Sequence, residues 1–368
     1  MLDVVKSINP SRITLARKRR GYTKSQLAKF LGVSIQTVMM YEKGTCSPAQ
    51  DTLASLQRSL GFPAEFFSGE DIEQPNPDAV SFRALKSMTA RLRDMAIGQG
   101  SIAMLFSHWL EQRFELPASR IPDLSRESTS PEIAAEMLRR EWGIGVLSVR
   151  NMVHLLEANG VRVFSLSIEA KQVDAFSFWS GSMPFIMLNS FKSAEHSRFD
   201  AAHELGHLVL HKHAGPQGLK TEEQANRFAS AFLMPDSSIR ASAPRFATVE
   251  SLINLKSSWG VSVAALAYRL HALKLLSDWH YRNLCIEISK RGYRTEEPNE
   301  CPRENSAVLP KLLAHLYTNE KVTRGTIAQQ INVPLSEIEA LMFGLAMSRI
   351  EGANRGSSGP RADLIRLK

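Results

Sequence analysis

Cysteine is scarce in this 368-residue chain: Cys46, Cys285 and Cys301 are all there are. Their positions show no paired or zinc-type spacing, which excludes a disulfide scaffold and a cysteine-built zinc ribbon and fits a reducing compartment. Long apolar runs are missing too. No stretch reaches the roughly 18 residues that a membrane span needs, and no signal-type segment is recognisable at the N-terminus, so the expected location is the cytoplasm. Negative charge is in deficit, with 37 Asp and Glu against 45 Lys and Arg. The imbalance is local: residues 1–70 hold ten Lys and Arg against five Asp and Glu, which gives +5 of the formal +8. A basic N-terminal segment points to a phosphate-bearing partner. The length suggests two to three domains.

What is present is concentrated at His203-Glu204-Leu205-Gly206-His207. Two histidines at i and i+4 lie about one turn, roughly 6 Å, apart on one helix face and can share a zinc ion. The glutamate between them sits on the flank of that face, where it can take a proton from a water at the metal. The helix is expected to start near Ser190 and to stop at Gly215-Pro216. A third protein ligand is still required, with one position left open. Thr221–Pro235 reads as a second helix with a core stripe of Ala225, Phe228, Ala229, Phe232 and Leu233. Glu222 lies one turn before Asn226 and on the same face, an arrangement that offers a carboxylate to zinc and an amide to orient a ligand. His211 shares the zinc face, but three protein ligands already suffice, so it is read as supporting a ligand.

Together, His203–His207, Glu222-x-x-Ala225-Asn226-x-Phe228-Ala229 and Leu233-Met234-Pro235 resemble the ImmA/IrrE metallopeptidases, cytoplasmic zinc enzymes that cleave repressor proteins. The resemblance implies Zn²⁺ as cofactor, His203, His207 and Glu222 as its ligands in preference to Glu223, and Glu204 as the catalytic base. Upstream, Val161–Leu166, Val173–Phe178 and Pro184–Leu188 read as three strands with a turn at 179–182. They form a small sheet whose edge could accept an extended peptide. No oxyanion-stabilising residue can be singled out; His196, Arg198 and Tyr268 are the nearest candidates.

A second motif occupies the N-terminus. Ile13–Tyr22 is a basic helix, Thr23 caps a helix that ends at Gly32, and Ser34 caps a third that ends at Gly44. Asp51–Gly61 adds another. This segment resembles the Xre-type (Cro/C1-type) helix-turn-helix domain. By that resemblance Arg17, Lys24, Gln36, Thr37 and Met40 would touch double-stranded operator DNA, with Gln36 the best base reader. The exposed Ile and Met positions also suit a protein partner.

The expected architecture is mainly α with a small β-sheet (α+β). It divides into a helix-turn-helix domain at 1–70, a linker at 71–80, a zincin-like metallopeptidase domain at 81–275, a helical region at 276–350 and a disordered tail at 351–368. Helices are expected over 86–115, 131–141, 149–159, 248–259 and 262–273. Residues 322–347 have helix-turn-helix rhythm, with packing favoured over a second nucleic-acid contact or a dimerisation unit. Two functions follow. One is a homodimeric DNA-binding regulator whose zinc endopeptidase cleaves a repressor, an antitoxin or itself in response to a signal. The alternative is a ligand-responsive transcription factor whose zinc domain senses with little or no proteolysis.

Overall fold

The computed structural model describes residues 7–76, 89–127, 129–167, 175–213 and 218–346, together with the backbone of 366–367. The N-terminal unit comprises α1 (Pro10–Arg19), α2 (Lys24–Leu31), α3 (Ile35–Lys43), α4 (Gln50–Leu60) and α5 (Ala64–Phe67). Its caps are those the sequence dictates. Thr23 and Gln26 form a reciprocal capping box, Ser34 accepts from the Thr37 N–H, and Gly32 turns the chain at φ +68°.

Next come α6 (Ala90–Glu111), β1 (Phe114–Glu115), α7 (Pro131–Glu141), α8 (Met152–Ala158), β2 (Arg162–Leu166), β3 (Ala175–Ser180) and β4 (Met183–Asn189). The strands stand in the order β2-β4-β3, β2 parallel and β3 antiparallel to β4. Val173, where the middle strand was expected to begin, lies outside the described residues. Period-two alternation splits the side chains of this sheet between two cores. Phe164, Phe176, Phe178, Phe185 and Met187 join one cluster; Val163, Ala175, Ile186 and Leu188 join the other.

The second cluster is completed by α9 (Ala194–Leu210), α10 (Leu219–Leu233), α11 (Asp236–Ser242), α12 (Val249–Trp259), α13 (Val263–Ala272) and α14 (Asp278–Lys290). The first takes in α6, α15 (Val308–Glu320), α16 (Arg324–Gln330) and α17 (Leu335–Met342). The sheet is therefore the middle of three layers. The helix α9 starts three residues later than expected, because Ser193 is the N-cap. The Ser190 hydroxyl is instead engaged with Ser165 Oγ and the Phe343 carbonyl, so it cannot cap. At 322–347 the helix-turn-helix rhythm is realised as packing, since α17 buries Ile338, Leu341 and Met342 against β2 and α6. The tail, expected to be disordered, pairs at β5 (Arg366–Leu367) with β1; residues 347–365 and 368 lie outside the description.

The N-terminal unit does not hang from the rest of the chain. Its core is continuous with that of α6, and α1 crosses α6 at Gly98, where a Cβ would meet the Arg19 backbone at 3.2 Å. Beside that crossing, Glu337 of α17 is 1 % exposed and accepts from Arg19 Nε and Arg20 Nη1, both at 2.8 Å. Residues on both sides of 275/276 share one core. Residues beyond that point brace α8 and α9: Glu304 accepts from the Met152 N–H and pairs with Arg198, and Glu157 accepts from Ser306, Ala307 and Val308 at the start of α15. No helix among the described residues is long and apolar enough to cross a membrane.

Candidate metal centre and nucleic-acid face

Helices α9 and α10 form an antiparallel hairpin, tightened by Gly206, where an added Cβ would lie 3.0 Å from the Phe228 ring. This close approach brings Glu222 against the two histidines of α9. One ligand atom from each of His203, His207 and Glu222 falls within 4.8 Å of the others. His203 Nε2 lies 3.1 Å from His207 Nε2 and 3.3 Å from Glu222 Oε2, and His207 Nε2 lies 3.4 Å from Glu222 Oε1. Ligand atoms around a tetrahedral zinc at about 2.0–2.1 Å stand about 3.3 Å apart along each edge, so the donor set fits such an ion. Glu223 is exposed on the cleft side of α10.

The outer ring nitrogens are engaged in a way that frees Nε2 for a metal. His203 Nδ1 is 3.1 Å from Asn226 Oδ1, an acceptor, which places the proton on Nδ1. His207 Nδ1 is 3.1 Å from His211 Nδ1, and His211 Nε2 is 3.0 Å from Gln224 Oε1. A relay of N–H donation outward from His207 satisfies all three groups. His211, the residue that ends α9, therefore meets the cluster through His207. Burial lowers the pKa of His207 to about 4 against the pull of Glu222, and burial with the neighbouring His207 lowers that of His211 to about 4. Burial would raise Glu222, but the close approach of His203 and His207 outweighs it and brings its pKa to about 2. At neutral pH His207 and His211 are therefore neutral and Glu222 is ionised, the forms a metal site uses.

Glu204 is fully buried, and its Oε2 accepts from Ser177 Oγ at 2.7 Å. Ser177 went unnoticed in the sequence. Its signal was a hydroxyl at a strand position between apolar neighbours, on the sheet face that α9 covers. That strand, β3, is one of the sheet's two edges, with β4 as its strand neighbour. From Glu222 a cleft of about 760 Å³ runs between α9 and α10 towards α13 and residues 293–297. His196 and Tyr268 line it. Arg198 does not, because its guanidinium is held by Glu304 and the Val149 carbonyl.

In the N-terminal unit, α3 packs on α1 and α2 and turns its other face outward, exposing Ile35, Gln36 and Met40. Thr37 is half-buried and shares a hydrogen bond with Ser34. Lys24 is partly exposed, 3.7 Å from Glu42. Arg17 corrects the expectation. It is buried, forked onto Glu42 through Nε and Nη2, and donates to the Tyr22 carbonyl, so it ties α1 to α3 and cannot reach DNA.

The comparisons agree with this division of labour. Residues 13–67 match the helix-turn-helix family model, and residues 156–271 match a peptidase family model, the IrrE N-terminal-like domain. No curated protein matches the chain. The first match covers the capped helices around α3, and the second covers the sheet, the α9–α10 hairpin and α13. The chain is thus an Xre-type helix-turn-helix unit fused to a domain of the ImmA/IrrE metallopeptidase family.

Proposed function

We propose that the chain is a DNA-binding regulator whose ImmA/IrrE-type domain is a zinc endopeptidase acting on a repressor, an antitoxin or itself in response to a signal. The observation that carries this reading is the convergence of two imidazoles and one carboxylate, their donor atoms 3.1–3.4 Å apart, with a buried glutamate on the helix of the two histidines. His203, His207 and Glu222 would hold the ion, and zinc supplies Lewis acidity for amide hydrolysis when bound. Asn226 and His211 fix the two imidazole rings. Glu204, held by Ser177, takes the proton of the attacking water and returns it to the leaving amine. Burial of these groups excludes bulk water and strengthens each interaction within the site.

On the DNA side we assign Gln36 to base contact, with Lys24, Thr37 and Met40 at the edges of the same face. Dimeric binding to a palindromic operator and a cytoplasmic location complete the proposal. The test is incubation of zinc-loaded wild type and Glu204→Gln with candidate repressors encoded at the same locus. Cleavage by wild type alone is the expected result, with zinc content equal in the two proteins and lost in His207→Ala. A Glu204→Gln protein that regulates and responds like wild type would instead establish the sensor reading.

A further inference from the structure

The basic run that ends α1 is engaged by the chain's own acids. Arg17 is forked onto Glu42, Lys18 Nζ lies 3.2 Å from Asp94 Oδ1, and Arg19 and Arg20 share Glu337. Asp94 and Glu337 belong to α6 and α17, outside the stretch that matches the helix-turn-helix model. Counting these two acids with residues 1–70 lowers that segment's formal +5 to +3. A duplex held mainly through its phosphates therefore needs cations from elsewhere along this edge.

One such cation stands at the turn between α1 and α2. Gly21 has φ +66° there, and an added Cβ would lie 2.7 Å from Arg91 Nε and 2.7 Å from Met95 Sδ. The Arg91 side chain thus lies across the turn, on the face of α6 that also brings Asp94, Met95 and Gly98 against the N-terminal unit. Arg91 is nonetheless exposed, and among the described residues no carboxylate pairs with it. Contact with Gly21 restrains its stem, so ordering the guanidinium on a partner costs less side-chain entropy than it would for a free surface arginine.

The position of this turn indicates the partner. In a helix-turn-helix unit the second helix of the motif enters the major groove while the helix before it crosses the backbone. Here the crossing helix is α2, which begins at Lys24, and Gly21 precedes it by at most about 11 Å of chain. We infer that Arg91 is a phosphate contact, so that α6 of the metal-binding half and α2 of the helix-turn-helix unit hold the same duplex DNA backbone. A guanidinium suits this task because its fork of N–H donors matches the phosphate oxygens. The assignment rests on reading α3 as the groove helix, and it extends that interface to a residue outside 13–67.

Phosphate contacts act on every sequence, so no operator is needed to measure this one. Full-length, zinc-loaded Glu204→Gln protein is titrated by fluorescence anisotropy against a labelled, mixed-sequence duplex of about 30 base pairs, from about 50 to 200 mM salt. In that background Arg91→Ala should flatten the slope of log affinity against log salt by about 0.9 per bound chain. Affinity near 0.1 M salt should fall about fivefold to tenfold. Arg93→Ala is the control. It removes the same charge from the same helix, about 200° further round and so turned away from α1, and should leave slope and affinity unchanged. Both arginines are exposed, so both variants should melt like the parent. An unchanged slope in Arg91→Ala overturns the inference and leaves DNA binding through α3 standing. Equal losses in Arg91→Ala and Arg93→Ala also overturn it, because they report net charge alone. A parent protein that binds no duplex at the lowest salt refutes the DNA-binding reading itself, and the Arg91 assignment falls with it.

Discussion

Gly206→Ala is the most exacting test of how this site is held. Alanine is the better helix former by about 0.8–1.0 kcal/mol, so propensity alone predicts stabilisation. The structure predicts the opposite sign. A Cβ at 206 would lie 3.0 Å from Phe228 Cδ1 and 3.2 Å from its Cβ and Cγ, each tighter than ordinary contact. Phe228 cannot swing away, being fully buried with its ring stacked 5.7 Å from that of Phe232. Overpacking of this kind costs about 1–3 kcal/mol, which leaves a net loss of about 0–2 kcal/mol once propensity is credited. The protein should fold, with a slightly lower Tm. The larger effect falls on the metal, because α10 must shift outward by a few tenths of an ångström and carries Glu222 with it. Zinc affinity, measured by competition with a chromophoric chelator, should drop by about tenfold to a hundredfold. Gly325→Ala is the control: its nearest neighbour would be Thr323 Oγ1 at 3.6 Å, so it should add up to about 1 kcal/mol and leave zinc binding alone. A folded Gly206→Ala protein with wild-type zinc affinity would refute the argument that this close approach sets the site.

Four further outcomes are expected. Glu222→Ala should weaken zinc binding far more than Glu223→Ala in the same competition assay, and the reverse ranking would move the ligand by one residue. In the metal-free protein, His207 and His211 titrate near 4 instead of near 6.5, so the unfolded chain takes up protons first; urea midpoints should be flat above pH 6.5 and fall between pH 6.5 and 4. Glu337→Ala leaves Arg19 buried without its carboxylate, a loss of up to about 3–5 kcal/mol for a buried pair and less here because Arg20 is partly exposed; calorimetry should then resolve the N-terminal unit as a separate, earlier transition. Gln36→Ala should cost about 1–3 kcal/mol at one operator base pair in a binding titration, while Arg17→Ala should lower the Tm of the N-terminal unit and leave the salt dependence of DNA binding unchanged.

Local chemistry wrote much of this protein legibly into its sequence. Thr23, Ser34, Ser130 and Ser262 cap helices where hydroxyls precede apolar periodicity, and Gly32 and Gly44 end them, because these signals act within four residues of each other. The pairing of His203 with His207 is equally local, since one helical turn fixes both. What only the tertiary structure decided is everything that depends on which helix lies against which. Arg17 looked like a phosphate contact because a charge run in a basic helix does not reveal which side faces Glu42, twenty-five residues away. Ser177 and Glu204 meet because β3 runs beneath α9, and Glu337 meets Arg19 across more than three hundred residues because α17 and α1 pack beside the same helix, α6. The buried Lys256 of α12 belongs to the same class, since its partners Glu195 and Glu297 come from two other segments with no common motif. Sequence spacing encodes contacts one turn or one strand apart; a buried charge finds its partner only when distant elements close around it and water is excluded.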